Sequence, residues 1–472
     1  MILKKIVLQS IDSPRRDLEW RVFMALKLSR EGISSIIGSA IQIRDLHEKS
    51  ENCILFGRLA GVSGRTDFDK KTIEFCKNNN TSLFFLHDEG AFYLKSEYRD
   101  AVKRAYPESY FKLSILEKVF FWGEMQRKVF EAHPEKGKFR VTGNPRFDLC
   151  RTAYEWIDKK SIQDLQDKYG NFILIAGRFG AANMVLDEPS CLGKRRYDIR
   201  VEAGALDELK KETILTPMFS DWEKTTIEFA KFVSATVKLA TEFPDLNFVF
   251  RPHPAERSSF YKEAFSHFDN IFVDKSFDVR PFIRASKAII HCECTTGVEA
   301  EISGIPNINY RPCLDMIEVK AAIVAGVSDV GVVVKDYESL KESIKKLVAT
   351  EFKFTKSTVD ISEYLLNSID GKESSDIIIN EIKEFCQNNT LESKISTRKG
   401  MSQISFRKVK NFSKSILKRI WISLVFKKHI NTGNSKVIFY SKKKIKTLWT
   451  ELGGKPSNLK IKGGIIYTYP ES

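Results

Sequence analysis

The chain is 472 residues long, more than one simple core accommodates, so two domains with additional elements are expected. Its 42% hydrophobic and 29% charged residues exclude a disordered chain, and no apolar run approaches the ~18 residues of a membrane span. The net charge of +15 is uneven: residues 391–472 hold 19 Lys and Arg against 3 Glu, so the first 390 residues are near neutral.

The opening "MILKKIVLQSID" has too short an apolar run before Asp12 for a signal peptide and reads as a first strand over 2–8. An amphipathic helix follows over 16–30, with Leu18, Val22, Ala25, Leu26 and Leu28 among its apolar positions. Strand-like runs recur at 34–38, 53–57, 82–87, 118–123 and 139–143, most of them separated by polar segments of helical length. That alternation predicts a parallel sheet covered on both faces. A polar helical segment, 151–170, links to a second series of strands at 172–177, 247–251, 270–274, 287–291, 306–310 and 330–334. A long polar excursion, 180–218, and a helix over 219–242 fall within it, and helices near 337–349 and 375–387 close the folded part. The expected fold is α/β: two Rossmann-like doubly wound domains, 1–155 and 165–388, facing a cleft, with a basic extension over 391–472.

The eight cysteines are scattered without a paired framework, which suits a reducing cytosol and a cytoplasmic location. His291, Cys292 and Cys294 are the closest metal-like cluster, but no second ligand pair matches them. They read as buried strand-end groups, and no metal or other cofactor is expected. Asp67 and Asp69 in "TDFDK" read as a helix N-terminus.

Three strand-end loops carry candidate chemistry. In "FLHDEGAFY" (85–93) an apolar strand stops at Asp88 and Glu89, beside Phe84, Phe85, Phe92 and Tyr93, an apolar wall able to raise a carboxyl pKa. In "NFVFRPHPAE" (247–256) Arg251 and His253 follow a strand in a loop stiffened by Pro252 and Pro254. This suits gripping an anionic leaving group, although the second His-Pro, His133-Pro134, lies in a plain charged loop. In "AIIHCECTTGVEAEISGIP" (288–306) a strand runs into a helix expected to start near Gly297, with Thr295 or Thr296 as its N-cap. Free N–H groups there would hold an anion, and Glu299 could reach a ribose hydroxyl. A carboxylate across a cleft from a phosphate grip is what glycosyl transfer needs: one domain holds the nucleotide, the other deprotonates the acceptor.

The acidic pair with its glycine, the His-Pro and the Thr pair together resemble bacterial sialyltransferases of the two-domain glycosyltransferase-B fold, which use CMP-activated sugars. "GNPRFD" (143–148), "RPHP" (251–254) and "CTTGVEAEISGIPNINYRP" (294–312) are also similar to bacterial surface-carbohydrate biosynthesis proteins and to CDP-glycerol glycerophosphotransferases. The resemblance spans roughly residues 1–385 and implies a metal-independent, inverting glycosyltransferase. Asp88 or Glu89 would be the base, and His253 would bind and protonate the leaving phosphate, held also by Arg251, Thr295, Thr296 and Gly297. Asn183, in "FILIAGRFGAAN" (172–183), would lie near the donor, and Arg178 would meet a sugar carboxylate. The implied partners are a CMP-linked ulosonic acid donor and a glycan or lipid-linked glycan acceptor. The alternatives are a nucleoside-diphosphate sugar or CDP-polyol donor, or an inactive envelope-assembly protein.

Residues 404–426, "ISFRKVKNFSKSILKRIWISLVF", repeat apolar side chains at Val409, Phe412, Ile416, Ile420 and Leu424, with Lys408, Lys410, Lys414, Lys418 and Arg419 on or beside the other face. An amphipathic basic helix of this kind is expected to hold the protein peripherally at the anionic inner face of the cytoplasmic membrane. A nucleic-acid-binding reading of the basic tail finds no recognised module, so no nucleic-acid partner is expected.

Overall fold

The computed structural model describes residues 2–3, 5–11, 14–47, 50–58, 67–88, 90, 98–106, 108–183, 211–253, 255–276, 278–313, 327, 330–349, 366–389, 392–395, 442–462 and 465–470. In chain order the strands of the first half are β1 (Ile2–Leu3), β2 (Ile6–Ile11), β3 (Ser34–Ser39), β4 (Ser50–Glu51), β5 (Ile54–Phe56), β6 (Ser82–Leu86), β7 (Leu116–Phe121) and β8 (Phe139–Val141). The second half adds β9 (Phe172–Ala176), β10 (Asn247–Arg251), β11 (Ile271–Val273), β12 (Ala288–His291), β13 (Asn307–Tyr310) and β14 (Val332–Val334). Near the end come β15 (Ser393–Ile395), β16 (Leu459–Lys462) and β17 (Ile465–Thr468).

The first sheet has the order β16-β17-β3-β2-β5-β6-β7-β8, and β3 through β8 run parallel. Alternate residues of its strands point to opposite faces. Phe84 and Leu86 therefore join the core under the Pro14–Arg30 helix, whereas Leu83 and Phe85 join the core on the other side. The second sheet, β11-β10-β9-β12-β13-β14, is wholly parallel. Its chain winds outward from β9 through β10 to β11 and then returns to β12 on the other side. That reversal opens a crevice at the carboxyl ends of β9 and β12, where ligands of such sheets bind. Two doubly wound domains in tandem are the arrangement of the glycosyltransferase-B fold.

The expected strand over 2–8 is two strands, because the chain leaves one sheet for another between Leu3 and Ile6. β1 pairs antiparallel with β15, and β15 with β4, as a small separate sheet. The helix expected over 219–242 begins earlier, as Lys211–Glu242.

Both outer domain boundaries need correction. The Ser374–Asn388 helix, expected in the second domain, packs on the first: Lys27 Nζ lies 2.7 Å from Asp376 Oδ1, and Phe385 stacks edge-on with Phe84 at 5.4 Å. The extension expected over 391–472 is in part an element of the first domain. β17 pairs antiparallel with β3, and β16 with β17. The Lys442–Glu451 helix buries Ile445 and Trp449 against the Pro14–Arg30 helix. The charge of the tail conceals this in the sequence, since the apolar run of β17 is only four residues long. The expected membrane helix, 404–426, lies outside the described residues. Among the described residues, no helix is long and apolar enough to cross a membrane.

Candidate functional site

β6 delivers His87 and Asp88 to the carboxyl edge of the first sheet, and both are buried. Asp88 Oδ1 accepts a 3.0 Å hydrogen bond from Arg21 Nη2, and Arg58 Nε lies 3.7 Å from Oδ2. Arg21 projects from the Pro14–Arg30 helix, with its guanidinium 3.9 Å from the Trp20 ring centroid. Gly57, at φ +115°, leaves the space it occupies: a Cβ there would sit 2.6 Å from Arg21 Nη2. Burial pushes the Asp88 carboxyl above its ordinary pKa, and Arg21 pulls it back. The loop is also pinned from behind. Trp122 Nε1 donates to the His87 carbonyl at 2.8 Å, and Gln126 Nε2 donates to the Gly90 carbonyl at 3.0 Å.

Asp88, expected as an accessible base against an apolar wall, is thus the buried partner of an arginine. Phe84 and Phe85 lie on opposite faces of the sheet and form no common wall. Glu89, Phe92 and Tyr93 lie outside the described residues.

In the second domain, the loop after β10 is fastened by a residue not singled out in the sequence. Glu256 is fully buried, and it accepts from the Phe179 backbone N–H at 2.6 Å and from the Tyr261 hydroxyl at 2.6 Å. Burial raises its carboxyl to about 7. Asn183 Nδ2 donates to the Arg257 carbonyl at 3.1 Å, so Asn183 clips the loops after β9 and β10 together. Arg251 is buried, with its guanidinium 5.7 Å from the Phe282 ring centroid. His253 is exposed at the loop tip. Its Nδ1 accepts from the Ala255 N–H at 3.2 Å, which in the neutral ring leaves the proton on Nε2. His133 makes the same turn, with Nδ1 accepting from the Glu135 N–H at 3.1 Å, but its ring packs against Phe111 and Phe139.

Beyond β12, the helix is Thr295–Ile302 and its N-cap is Cys294, with no side-chain cap. Thr295 and Thr296 are therefore first-turn residues and not the expected cap, and the Cys294 side chain makes no capping hydrogen bond to the first-turn N–H groups. Gly297 has a packing reason of its own, since a Cβ there would fall 2.4 Å from the His291 ring. His291 is buried beside Asn307 (3.3 Å), and burial lowers it to about 4. Cys294 Sγ lies 3.3 Å from Thr296 Oγ1, and Cys292 is buried in the apolar core of this domain.

Glu293, between them, is a hub. Its backbone is left-handed at φ +43°, and its N–H donates to Asn309 Oδ1 at 3.1 Å. Its carboxylate meets Lys224 Nζ at 2.6 Å, Arg178 Nη2 at 3.2 Å and Arg311 Nη2 at 2.5 Å. Burial alone would raise Glu293, but the three cations hold it below the ordinary carboxylate range. Lys224 also lies 3.5 Å from Glu228, whose carboxyl burial raises. Arg178, expected to meet a sugar carboxylate, here meets Glu293.

"GNPRFD" is where the two domains join. Gly143, at φ +78°, would press a Cβ to 2.2 Å from the Asn367 carbonyl. Asn144 Oδ1 accepts from the Arg146 N–H at 3.0 Å. Asp148 accepts from the Ser374 and Ser375 N–H groups at 3.0 and 2.8 Å, capping the returning helix. Arg146 forms an ion pair with Glu299, so the carboxylate expected at a ribose has an arginine partner at Oε1. Its Oε2 is buried with no hydrogen-bond partner among the described residues.

Trp122, which holds the Asp88 loop, packs edge-on against Phe147 at 5.4 Å, and the neighbouring Arg146 holds Glu299. One chain of contacts thus joins the carboxyl edges of the two sheets. Arg178 and His253 stand on the loops after β9 and β10, and Thr295 and Thr296 open the helix after β12; the three strands are neighbours in the sheet.

No family model matches the sequence, and no curated protein matches it. Among solved structures, the chain is similar to the wall teichoic acid polymerase TagF, at 12% identity over 82% of this chain and 90% of that one, TM-score 0.46. It is similar to UDP-GlcNAc 2-epimerase from Methanocaldococcus jannaschii at 12% identity, covering 80% and 99%, TM-score 0.47. The corresponding figures for the Neisseria meningitidis enzyme bound to UDP-GlcNAc are 15%, 81% and 100%, with TM-score 0.44.

Proposed function

We propose that the chain is a glycosyltransferase of bacterial surface-carbohydrate biosynthesis that takes its sugar from a nucleotide donor, with a CMP-linked ulosonic acid as the preferred donor. The observation that carries this reading is the carboxyl edge of β9, β10 and β12. There an exposed histidine, a partly exposed arginine and a helix N-terminus without a side-chain cap stand on adjacent strands at the reversal of strand order.

The donor phosphate would rest on the first-turn N–H groups of Thr295–Ile302, beside Arg178. As the sugar–oxygen bond breaks, its electron pair passes to the phosphate oxygen, and the charge growing there is met by a hydrogen bond from His253 Nε2–H, which keeps its proton because Nδ1 accepts from the Ala255 N–H. The acceptor hydroxyl gives its proton to a carboxylate of the Asp88-Glu89 pair and attacks the sugar from the opposite side, so the centre inverts. Asp88 already serves Arg21, which favours Glu89 as the group that takes the proton.

A panel of CMP, CDP, UDP and GDP in EDTA tests the reading through the unfolding temperature. Stabilisation by CMP supports it, roughly 2.7 kcal/mol at 100 times Kd. A shift seen only with UDP and manganese would replace the CMP donor with a nucleoside-diphosphate sugar. No shift with any nucleotide would end the transferase reading.

A further inference from the structure

Glu293 does not fit the role of a surface loop residue. It is a glutamate in left-handed backbone, a conformation that a side chain of this kind adopts only where the surroundings hold it there. It is wholly buried as well, yet it sits two residues before the helix end proposed to hold the donor phosphate. The surroundings over-determine this conformation. Asn309, on β13, fixes the backbone N–H, while Lys224 and Arg311 clamp the carboxylate from the Lys211–Glu242 helix and from the end of β13. The helix reaches the site because it runs antiparallel to the strands: its 32 residues span ~48 Å, well beyond a five-residue strand of ~17 Å. Its amino-terminal half thus extends to the carboxyl edge of the sheet, where Lys224 meets Glu293.

The three cations differ in exposure. The Lys224 and Arg311 side chains are 1% and 4% exposed, while Arg178 is 28% exposed. Arg178 follows β9, and Glu293 follows β12, so their pair bridges the crevice at the reversal point. Lys224 and Arg311 are too deep to touch a donor, and so is Glu293. Arg178 alone of the four reaches the surface.

We propose that Glu293 is the positioning residue of the donor site: braced by Lys224 and Arg311, it aims the Arg178 guanidinium at the donor's phosphate. The inference rests on the transferase reading and gives its site a specific part. A guanidinium tethered at one nitrogen keeps the others in a fixed plane, which suits an oxygen-rich anion. It also spares the ordering of a long side chain on binding. Glu293 never contacts the substrate. Its effect on binding passes through Arg178, and the left-handed turn is retained because it places the carboxylate beneath that arginine.

The test compares the affinity of CMP with that of cytidine by calorimetry, so that the ratio isolates the phosphate; if UDP is the nucleotide that binds, UDP and uridine take their place. Arg178→Gln should lower the ratio roughly tenfold to a hundredfold, the worth of a charge-assisted hydrogen bond. Glu293→Gln should lower it comparably and leave cytidine binding unchanged. The double variant should be no worse than Arg178→Gln alone, since the two residues form one unit. Glu293→Asp keeps the charge but withdraws it by one methylene, and it should fall between wild type and Glu293→Gln, which covers the case in which Glu293→Gln does not fold. A Glu293 variant with a lowered unfolding temperature and a wild-type ratio would make Glu293 a brace only. So would additive losses in the double variant. If the wild type binds no nucleotide, the transferase reading itself fails. If it binds and Arg178→Gln weakens it while both Glu293 variants do not, only the positioning role fails.

Discussion

Arg146 of the first domain is ion-paired with Glu299 of the second, and Glu299 is almost wholly buried. The pair lies one turn inside the helix proposed to hold the donor, so the domain junction and the donor site share a residue. Removing one partner of a buried pair leaves the other charge uncompensated, at a cost of about 3–5 kcal/mol. Arg146→Ala should therefore lower the unfolding free energy by a few kcal/mol in denaturant titration, and adding Glu299→Ala should restore part of the loss. Additive losses would show that the two carboxyl and guanidinium groups do not act as a pair.

Asp88→Asn should behave as a stability variant first. It leaves Arg21 buried without its anion, for a loss on the order of 3 kcal/mol read as a lowered unfolding temperature. Glu89→Gln should keep the wild-type unfolding temperature and lose turnover by about 10²–10⁴-fold, the range of a general base. An Asp88→Asn protein of unchanged stability but no activity would return the base role to Asp88.

The parallel strands of the two large sheets were legible because strands buried on both faces are short apolar runs that stand out between polar segments, whereas the antiparallel strands β15, β16 and β17 were not. The roles of single residues were less legible. Asp88 was visible, but its partner Arg21 sits 67 residues away, one of several charged residues on an amphipathic helix, with nothing local to mark it as the buried one. Lys224 and Glu228 did leave a signal. They are four apart on the helix stripe that continues through Phe232, so two charges occupy core positions. The Gly143–Asp148 segment was read for its resemblance. Its physical content, a three-way junction, depends on segments more than 150 residues away.

His253→Ala should weaken CMP binding and slow transfer together, because the contact strengthens as the leaving phosphate gains charge. His133→Ala should change neither, although it makes the same His-Pro turn, because its ring packs among phenylalanines. Equal kinetic effects of the two variants would remove His253 from the site.

Glu256 predicts a pH dependence with a definite sign. Its carboxyl is raised from 4.5 to about 7, so between those values the folded protein holds a proton that the unfolded chain has lost. Its contribution is complete below about pH 4.5 and is lost as pH rises through 7. Glu19 acts with the opposite sign in a separate window. Burial alone would raise it, but Arg280 and Lys444 hold it at about 2, so its contribution is lost as pH falls below 4.5. Subtracting the stability profile of Glu256→Gln from that of wild type should leave a slope only between about pH 4.5 and 7. A flat difference would place the Glu256 carboxyl at its ordinary value.

A simple truncation at the end of the chain would confuse its structural part in the first domain with the membrane role expected of residues 404–426. Ending the protein at residue 390 removes β16 and β17, which cover β3, together with Trp449, which is fully buried on the first domain. It also removes Lys444, which bonds Glu19 of the first domain and Asp278 of the second. Loss of one buried large aromatic alone costs about 3–5 kcal/mol, so this truncation should unfold or aggregate the first domain whatever residues 404–426 do. Replacing 400–438 by a Gly/Ser linker of equal length keeps β15, the Lys442–Glu451 helix and the last two strands. That protein should retain the wild-type unfolding temperature and activity on short soluble acceptors. It should lose co-sedimentation with anionic liposomes, which in the full chain should weaken at high salt, because each basic residue near such a surface gives about 1 kcal/mol. Liposome binding that survives the replacement would remove the membrane role from 404–426 and move it to the basic residues of the chain's last helix.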